Sequence, residues 1–77
     1  MAKDGITQAR LSTRGFRALF DGEGVKVLLN DEGTSYAKVQ VHENGYHGSL
    51  WVRGNHQEFF HSLSFFALVQ LLKAHQE

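Results

Sequence analysis

The stretch YAKVQVHENGYHGSLWVR, residues 36–53, sets the register of a β-hairpin and through it the fold. At its centre lies Asn44-Gly45, the pair of residues that most strongly predicts a two-residue type I′ turn, because both turn positions need a positive φ. A loop of these two residues places Glu43 opposite Tyr46. A shift by one residue would move every apolar side chain to the other face. The sequence therefore predicts an antiparallel hairpin with one apolar and one polar face.

The two faces of this hairpin differ in composition. The apolar face pairs Val41 with Gly48, Val39 with Leu50 and Ala37 with Val52. The polar face pairs His42 with His47, Gln40 with Ser49, Lys38 with Trp51 and Tyr36 with Arg53. One face thus suits a core, whereas the other offers aromatic rings, cations, amides and imidazoles without a carboxylate.

Two further turns extend the hairpin into a meander. A two-residue loop of type II′ at residues 22–23 pairs Phe20 with Val25. A three-residue loop at residues 31–33, whose final glycine takes the left-handed conformation, pairs Val25 with Val39. The apolar residues of all three hairpins then share one face, and this agreement supports the meander.

The segments before and after the meander differ from it in the spacing of their apolar residues. Residues 6–12 are predicted to form a further strand, or the beginning of a long, bent first strand. After residue 53 two structures compete. Gly54-Asn55 closes another hairpin with a last strand over residues 56–61, or Asn55 caps a helix with Glu58 at its third position. The hairpin is favoured because two later serines are also good helix N-caps.

Residues 63–75 have the apolar spacing of an amphipathic helix. Only the apolar face of the sheet offers a surface large enough to bury it. We therefore predict a single α+β domain, residues 1–77, in which one C-terminal helix packs on one face of an antiparallel β-meander of five or six strands. The residues expected to be largely buried are Phe20, Val27, Val39, Leu50, Phe65, Leu68 and Leu72.

Composition bounds the class of protein. A chain of 77 residues without cysteine has one small core, which supplies only about 3–5 kcal/mol, and no disulfide to brace it. Homodimerisation through Phe66 and Leu71, at the margins of the helix stripe, is one expected remedy. No apolar run reaches the roughly 18 residues of a membrane span, and the first five residues lack the apolar segment of a secretory signal. A cytoplasmic protein without membrane attachment is predicted.

The polar sheet face is the predicted binding surface. Eight basic residues balance eight acidic ones, but the acids fall in turns and leave this face locally positive. Aromatic rings stack on unpaired bases at about 1–3 kcal/mol per base, while cations contact phosphates. We therefore expect the face to bind single-stranded nucleic acid. The predicted ligand-binding residues are Trp51, Tyr36, Lys38, Arg53, Lys26, Arg17, Gln40, His42 and His47.

Two other interpretations of the same face stay open. A lysine opposite a tryptophan is also an ordinary cation–π pair of an exposed sheet, so these residues can stabilise the sheet without binding any ligand. Leu19 and Leu28 beside tyrosine, tryptophan and arginine are typical of a protein interface, which would suit an adaptor or an inhibitor of a larger complex. An edge strand of the meander could also pair with such a partner. Net charge does not decide between these classes, whereas the salt dependence of binding does.

Catalytic and metal chemistry receive little support from the sequence. His42 and His47 would provide two imidazoles next to the turn, but a transition-metal site needs further ligands. Ser49 lies diagonal to His47, yet no third group and no oxyanion hole accompany the pair. The prediction is a non-enzymatic binding module with no metal and no cofactor.

Overall fold

Five consecutive strands form one antiparallel sheet, which confirms the predicted meander. The computed structural model describes residues 2–22 and 24–77. Its elements are α1 (Ala2–Thr13), β1 (Arg17–Asp21), β2 (Gly24–Leu28), β3 (Tyr36–His42), β4 (Gly45–Val52), β5 (Asn55–Leu63) and α2 (Phe65–His75). Each strand pairs with the next in the order β1-β2-β3-β4-β5. The α+β class is thus confirmed, with five strands and a C-terminal helix.

Both helices pack on the same face of the sheet. α1 contacts β1, β2 and β3, whereas α2 contacts β4 and β5. The buried core consists of Leu11, Phe16, Ala18, Val25, Val27, Leu29, Ala37, Val39, Leu50, Phe60, Leu68, Val69 and Leu72. The opposite sheet face, called the open face below, is covered by neither helix. None of the helices in the described residues is long and apolar enough to cross a membrane.

Residues 6–12 are helical, so the prediction of a strand there is wrong. Within residues 5–13 of α1, whose burial is described, Thr7 and Leu11 are buried. Their spacing of four places them on one helix face rather than on one strand face. The Gln8 amide donates a hydrogen bond to the Ala18 carbonyl at 3.1 Å. α1 is therefore held against β1 by burial of one narrow stripe and by this polar contact.

The end of α1 is a Schellman motif. The Phe16 N–H donates to the Leu11 carbonyl at 3.1 Å, and the Gly15 N–H donates to the Ser12 carbonyl at 3.0 Å. Gly15 has a φ of +90°, which glycine adopts without steric cost. Leu11 and Phe16 are both buried, as expected of the apolar contact that accompanies this motif.

The β3–β4 hairpin keeps the predicted faces but not the predicted pairs. His42 lies opposite Gly45 and Tyr36 lies opposite Trp51, so each predicted pair is displaced by two positions while its parity is unchanged. Within this turn the positive φ belongs to Gly45, at +124°. A type I′ turn would need two such residues. The loop is therefore formed by residues 43–44 and followed by the glycine, rather than formed by Asn44-Gly45.

The other two registers of the meander are confirmed. Phe20 pairs with Val25, and Val25 pairs with Val39. Gly33 has the expected positive φ of +76°. The loop before β3 is closed by Asn30, whose side-chain oxygen accepts the N–H groups of the two residues that precede β3, at 3.0 and 3.2 Å. The predicted type II′ turn includes residue 23, which lies outside the described residues.

A hairpin follows β4, as favoured from the sequence, so the competing helix after residue 53 is wrong. Val52 pairs with Asn55, and Arg53 and Gly54 have φ values of +51° and +84°. The turn therefore lies one residue earlier than predicted. β5 is also longer than predicted and reaches Leu63.

α2 begins two residues later than predicted. Its N-cap is Ser64, whose hydroxyl accepts a hydrogen bond from the Ala67 N–H at 3.1 Å. Of the predicted core, Phe20 is wrong, because its side chain is 65% exposed. It shares the helix-covered side with Val25, but it lies near the end of edge strand β1. Phe65 is only partly buried. The remaining predicted core residues, Val27, Val39, Leu50, Leu68 and Leu72, are buried.

Candidate functional site

Strand pairing arranges the open-face side chains in lines across the sheet. The first line, called the aromatic row, contains Arg17, Leu28, Tyr36, Trp51 and His56. The second, called the lysine row, contains Leu19, Lys26, Lys38, Ser49 and Phe59. A third group, called the histidine cluster, consists of His42, His47 and His61. Directly opposite residues of antiparallel strands have Cβ atoms roughly 5 Å apart, so each row is a line of contacts.

The three rings of the aromatic row lie next to a fourth, that of Phe59 at the β5 end of the lysine row. Tyr36 and Trp51 are stacked, with ring centroids 5.9 Å apart and planes inclined by 13°. His56 meets the indole edge-on at 5.2 Å and lies 4.3 Å from Phe59. The indole N–H of Trp51 donates to the Ser49 hydroxyl at 3.0 Å. This hydrogen bond orients the indole, and the row presents rings from β3, β4 and β5 in succession.

The lysine row places two like charges face to face. Lys26 on β2 lies directly opposite Lys38 on β3, an arrangement that destabilises a sheet unless other charges compensate it. Within the described residues neither lysine takes part in an ion pair. The Lys26 ammonium lies 4.4 Å from the centre of the Tyr36 ring, a cation–π contact. The predicted contact of Lys38 with Trp51 is replaced by this one. The pair leaves two positive charges available to an anion.

Arg53 is not available in the way that the sequence suggests. It lies in the β4–β5 turn rather than opposite Tyr36, and its guanidinium forms a 3.0 Å ion pair with Glu77. The hydrogen bond from Arg53 is the largest cause that lowers the pKa of the Glu77 carboxyl, followed by one from Ser35. The arginine charge is therefore partly neutralised before any ligand arrives.

A buried serine organises the contacts around this ion pair. The Ser35 hydroxyl donates to the Glu77 carboxylate at 2.8 Å and accepts the Arg53 N–H at 3.0 Å. The Glu77 N–H donates to the Leu29 carbonyl at 2.8 Å. Four separate parts of the chain meet here. The predicted role of Arg53 as a phosphate contact thus competes with a structural one.

Arg17 lies at the edge of the open face and is exposed. It lines a depression of about 180 Å³ that it shares with Asp31 and Glu77. Carboxylates near this arginine weaken the positive potential that it would present to a phosphate. Arg17 therefore belongs to the aromatic row by register, but two carboxylates line its depression, whereas one, Asp21, lines that of Lys38.

The histidine cluster lies on three adjacent strands. The ring of His47 on β4 is 4.3 Å from that of His42 on β3 and 5.9 Å from that of His61 on β5. The Nε2 atom of His47 is buried and has no hydrogen-bond partner among the described residues. Burial, and then the neighbouring His42 and His61, lower the pKa of His47 below its ordinary value of 6.5. At neutral pH the ring is therefore uncharged.

A shallow depression on the open face includes two members of the lysine row, Lys38 and Ser49. It has a volume of about 250 Å³, and Gln40 and Asp21 also line it. Small-molecule pockets usually measure about 300–1,000 Å³ and enclose their ligand. The depression is therefore a dip in an extended surface. Asp21 also departs from the prediction that the acids stay in turns away from the face.

The structure brings most of the predicted site residues together and sets two apart. Those that share the continuous open face are Tyr36, Trp51, Lys26, Lys38, Gln40, His42 and His47. Arg53 and Arg17 are bound to or placed beside carboxylates. Three residues of β5 that were not predicted complete the face: His56, Phe59 and His61.

The residues of β5 were missed because its pairing with β4 is irregular. The register shifts between Leu50 and Trp51 and again between Tyr46 and Gly48. Such bulges reverse the simple alternation from which faces are read in a sequence. A turn at Arg53-Gly54 would have been the signal that places His56 opposite Trp51.

Ser49 and the histidines are the polar groups of the open face on which catalysis or metal binding would depend. The Ser49 hydroxyl is engaged with the Trp51 indole. In the part of the chain that the structure describes, no group of three or more His, Cys, Asp or Glu side chains is positioned to hold a metal ion. What the face offers is stacking surface, positive charge and imidazoles.

Comparison of the chain with protein-family models, with curated proteins and with solved structures finds no match. The function is therefore argued from the residues of the open face alone.

Proposed function

We propose that the open face is a non-enzymatic binding surface for single-stranded nucleic acid in the cytoplasm. The observation that carries the proposal is the opposed pair Lys26 and Lys38, which has no ion-pair partner in the described chain and adjoins the stacked Tyr36 and Trp51. Two like charges held together on an exposed sheet cost stability. A bound anion offsets that cost.

The aromatic row explains why the anion is a nucleic acid and why it is single-stranded. Unpaired bases expose their faces to aromatic side chains, whereas the bases of a duplex are stacked on each other. Tyr36, Trp51, His56 and Phe59 follow one another across three strands at centroid spacings of 4.3–5.9 Å. The aromatic rings would stack on the bases of one nucleic-acid strand, and the lysines of the adjacent lysine row would contact its phosphates.

The test is binding of a fluorescently labelled oligothymidylate, measured by anisotropy at two salt concentrations. Trp51→Ala is expected to weaken binding by about 1–3 kcal/mol, or roughly 5- to 150-fold, because one stacking ring is lost. Phe66→Ala is the matched control, since this ring is 70% exposed on α2, away from the open face. Equal affinities of wild type and Trp51→Ala would contradict the stacking role.

The lysines are tested by the salt slope. Lys38→Ala is expected to make the slope of log affinity against log salt shallower by about 0.7, because one fewer phosphate contact releases counterions. Lys73→Ala removes the same charge from α2 and is expected to leave the slope unchanged. If no oligonucleotide binds the wild-type protein even at low salt, the proposed function is wrong.

A protein interface is the second candidate function, and one observation favours it. Leu19 and Phe59, at the two ends of the lysine row, are 51% and 68% exposed. Exposed apolar residues beside tryptophan and tyrosine suit an adaptor or an inhibitor of a larger complex. Such a partner would be bound with weak salt dependence, in contrast to nucleic acid.

Homodimerisation is a separate proposal, motivated by the helix side of the molecule. Phe66 is 70% exposed on α2, and Leu71 is partly buried at the margin of the core. Sedimentation velocity over a wide concentration range is expected to show reversible association that Phe66→Glu abolishes. A wild-type protein that stays monomeric at every concentration contradicts it.

A further inference from the structure

The histidine cluster is the part of the open face that stacking and lysine contacts do not use. His42, His47 and His61 come from β3, β4 and β5, so the fold and not the local sequence brings them together. Opposite His47, β5 carries an irregularity in register and Ser62 has a φ of +53°. Bulges of this kind re-aim side chains and concentrate at functional sites. The strained residue lies next to His61.

The charges around His47 are few and can be assigned by element. β3 contributes His42, the neutral Gln40 opposite His47, and Lys38 in the adjoining row. β5 contributes His61, and the β3–β4 turn contributes the exposed Glu43. Asp21 lines the same depression as Gln40. Both helices lie on the other side of the sheet, and they add no charge to this cluster.

Without a bound anion, this environment disfavours protonation of the three imidazoles. A bound anion would favour their protonation. Imidazoles 4.3 and 5.9 Å apart repel each other when they are charged, which agrees with the lowered pKa of His47. The buried Nε2 of His47 has no internal partner. An oxyanion between the rings would accept hydrogen bonds from protonated nitrogens and screen their repulsion.

We propose that the histidine cluster is a proton-gated subsite for a backbone phosphate of the bound strand, so that the open face binds single-stranded nucleic acid more tightly as the pH falls below neutrality. This inference rests on the proposed function. Gln40, which lies opposite His47, lines the depression together with Lys38. A strand whose phosphates contact Lys38 thereby reaches the imidazoles.

The sign of the pH effect follows from linkage. A ligand that favours the protonated imidazoles takes up protons on binding, and uptake of one proton changes the affinity tenfold per pH unit. The phosphodiester keeps one charge between pH 5.5 and 7.5, so it does not contribute to the change. A lower pH has the opposite effect on the stability of the free protein. Because the pKa of His47 is lowered in the folded state, the fold becomes less stable as the pH falls below about 6.5.

The experiment measures binding of labelled oligothymidylate at pH 7.5, 6.5 and 5.5 in the presence of a metal chelator. Wild type is expected to bind more tightly at pH 5.5 than at pH 7.5, by up to about tenfold per pH unit for each proton taken up. The double substitution His42→Gln with His47→Gln is expected to remove most of this gain. His75→Gln is the matched control, since it removes a histidine from α2, where the ring contacts the Leu71 carbonyl. It is expected to keep the gain.

The location is tested by side-chain NMR of the wild type, which does not depend on the folding of any variant. Adding the oligonucleotide is expected to raise the pKa of His47 and to leave the imidazole resonances of His75 unchanged. Equal shifts of both histidines, or none, would overturn the assignment of the cluster as the phosphate subsite.

The outcomes separate this inference from the proposed function. Binding with the same affinity at all three pH values overturns the subsite and leaves the nucleic-acid proposal standing. Inorganic sulfate serves as a probe for a free anion. If it raises the melting temperature at pH 5.5 in wild type but not in the double variant, while no oligonucleotide binds, then the cluster is an anion site and the nucleic-acid function is wrong. If His75→Gln also abolishes the gain in affinity at low pH, that gain reflects the net charge of the protein alone, and the inference is overturned.

Discussion

Replacing Leu68 with alanine is expected to lower the free energy of unfolding by about 2–5 kcal/mol, through lost burial and a residual cavity. Leu68 is completely buried and belongs to α2, which covers β4 and β5. For a chain of this size the total stability is on the order of 4–12 kcal/mol. Leu68 alone thus contributes a large part of the total free energy of unfolding. Urea denaturation followed by circular dichroism measures the change.

Phe66→Ala is the control for this measurement, because it truncates a larger apolar side chain in the same helix. Phe66 is 70% exposed, so at protein concentrations low enough to keep the chain monomeric its truncation should change stability by no more than about 0.5 kcal/mol. A loss below about 1 kcal/mol for Leu68→Ala would show that α2 is not docked as described.

Gly48→Ala is expected to destabilise the sheet by about 1–3 kcal/mol or more, although it adds only one methyl group. A Cβ atom at residue 48 would overlap the backbone carbonyl oxygen of Lys38 and lie 2.9 Å from the Phe60 ring. A carbonyl held in the sheet ladder cannot swing aside as the end of a flexible side chain can. Either strands β3 and β4 must move apart or the Phe60 ring must shift, and either change disturbs the core.

Gly5→Ala is the matched control, since the same methyl group meets nothing within 4 Å at that position. Gly5 lies inside α1, where alanine is favoured over glycine by roughly 0.5–1 kcal/mol. The two substitutions should thus change the urea midpoint in opposite directions. A Gly48→Ala protein as stable as wild type would mean that β3 and β4 are not in such close contact.

The parity of the sheet was predictable because strands have a period of two. Any register that keeps the apolar residues of neighbouring strands together gives the same two faces. An error of two positions in the β3–β4 hairpin therefore left Lys38, Gln40 and Trp51 on the open face. The pairs were not predictable, since an Asn-Gly sequence suits both a type I′ turn and a turn in which the glycine follows the loop. Trp51 consequently stacks on Tyr36 instead of facing Lys38.

The first helix was missed because few of its residues are apolar. One fully buried leucine and one buried threonine carry its packing, so its apolar stripe is too narrow to show a helical period. Gly15 followed by Phe16 was the available signal, since glycine at that position and an apolar residue after it typify a helix end. Propensity alone did not distinguish helix from strand here.

The sequence by itself determined which side chains share the apolar face and which lie on the open face across β2, β3 and β4, because alternation along a strand is a local property. Only the tertiary structure decided two further features. These are the neutralisation of Arg53 by Glu77 and the addition of His56, Phe59 and His61 to the face. Each depends on contacts between segments distant in sequence, or on bulges whose position local spacing does not reveal.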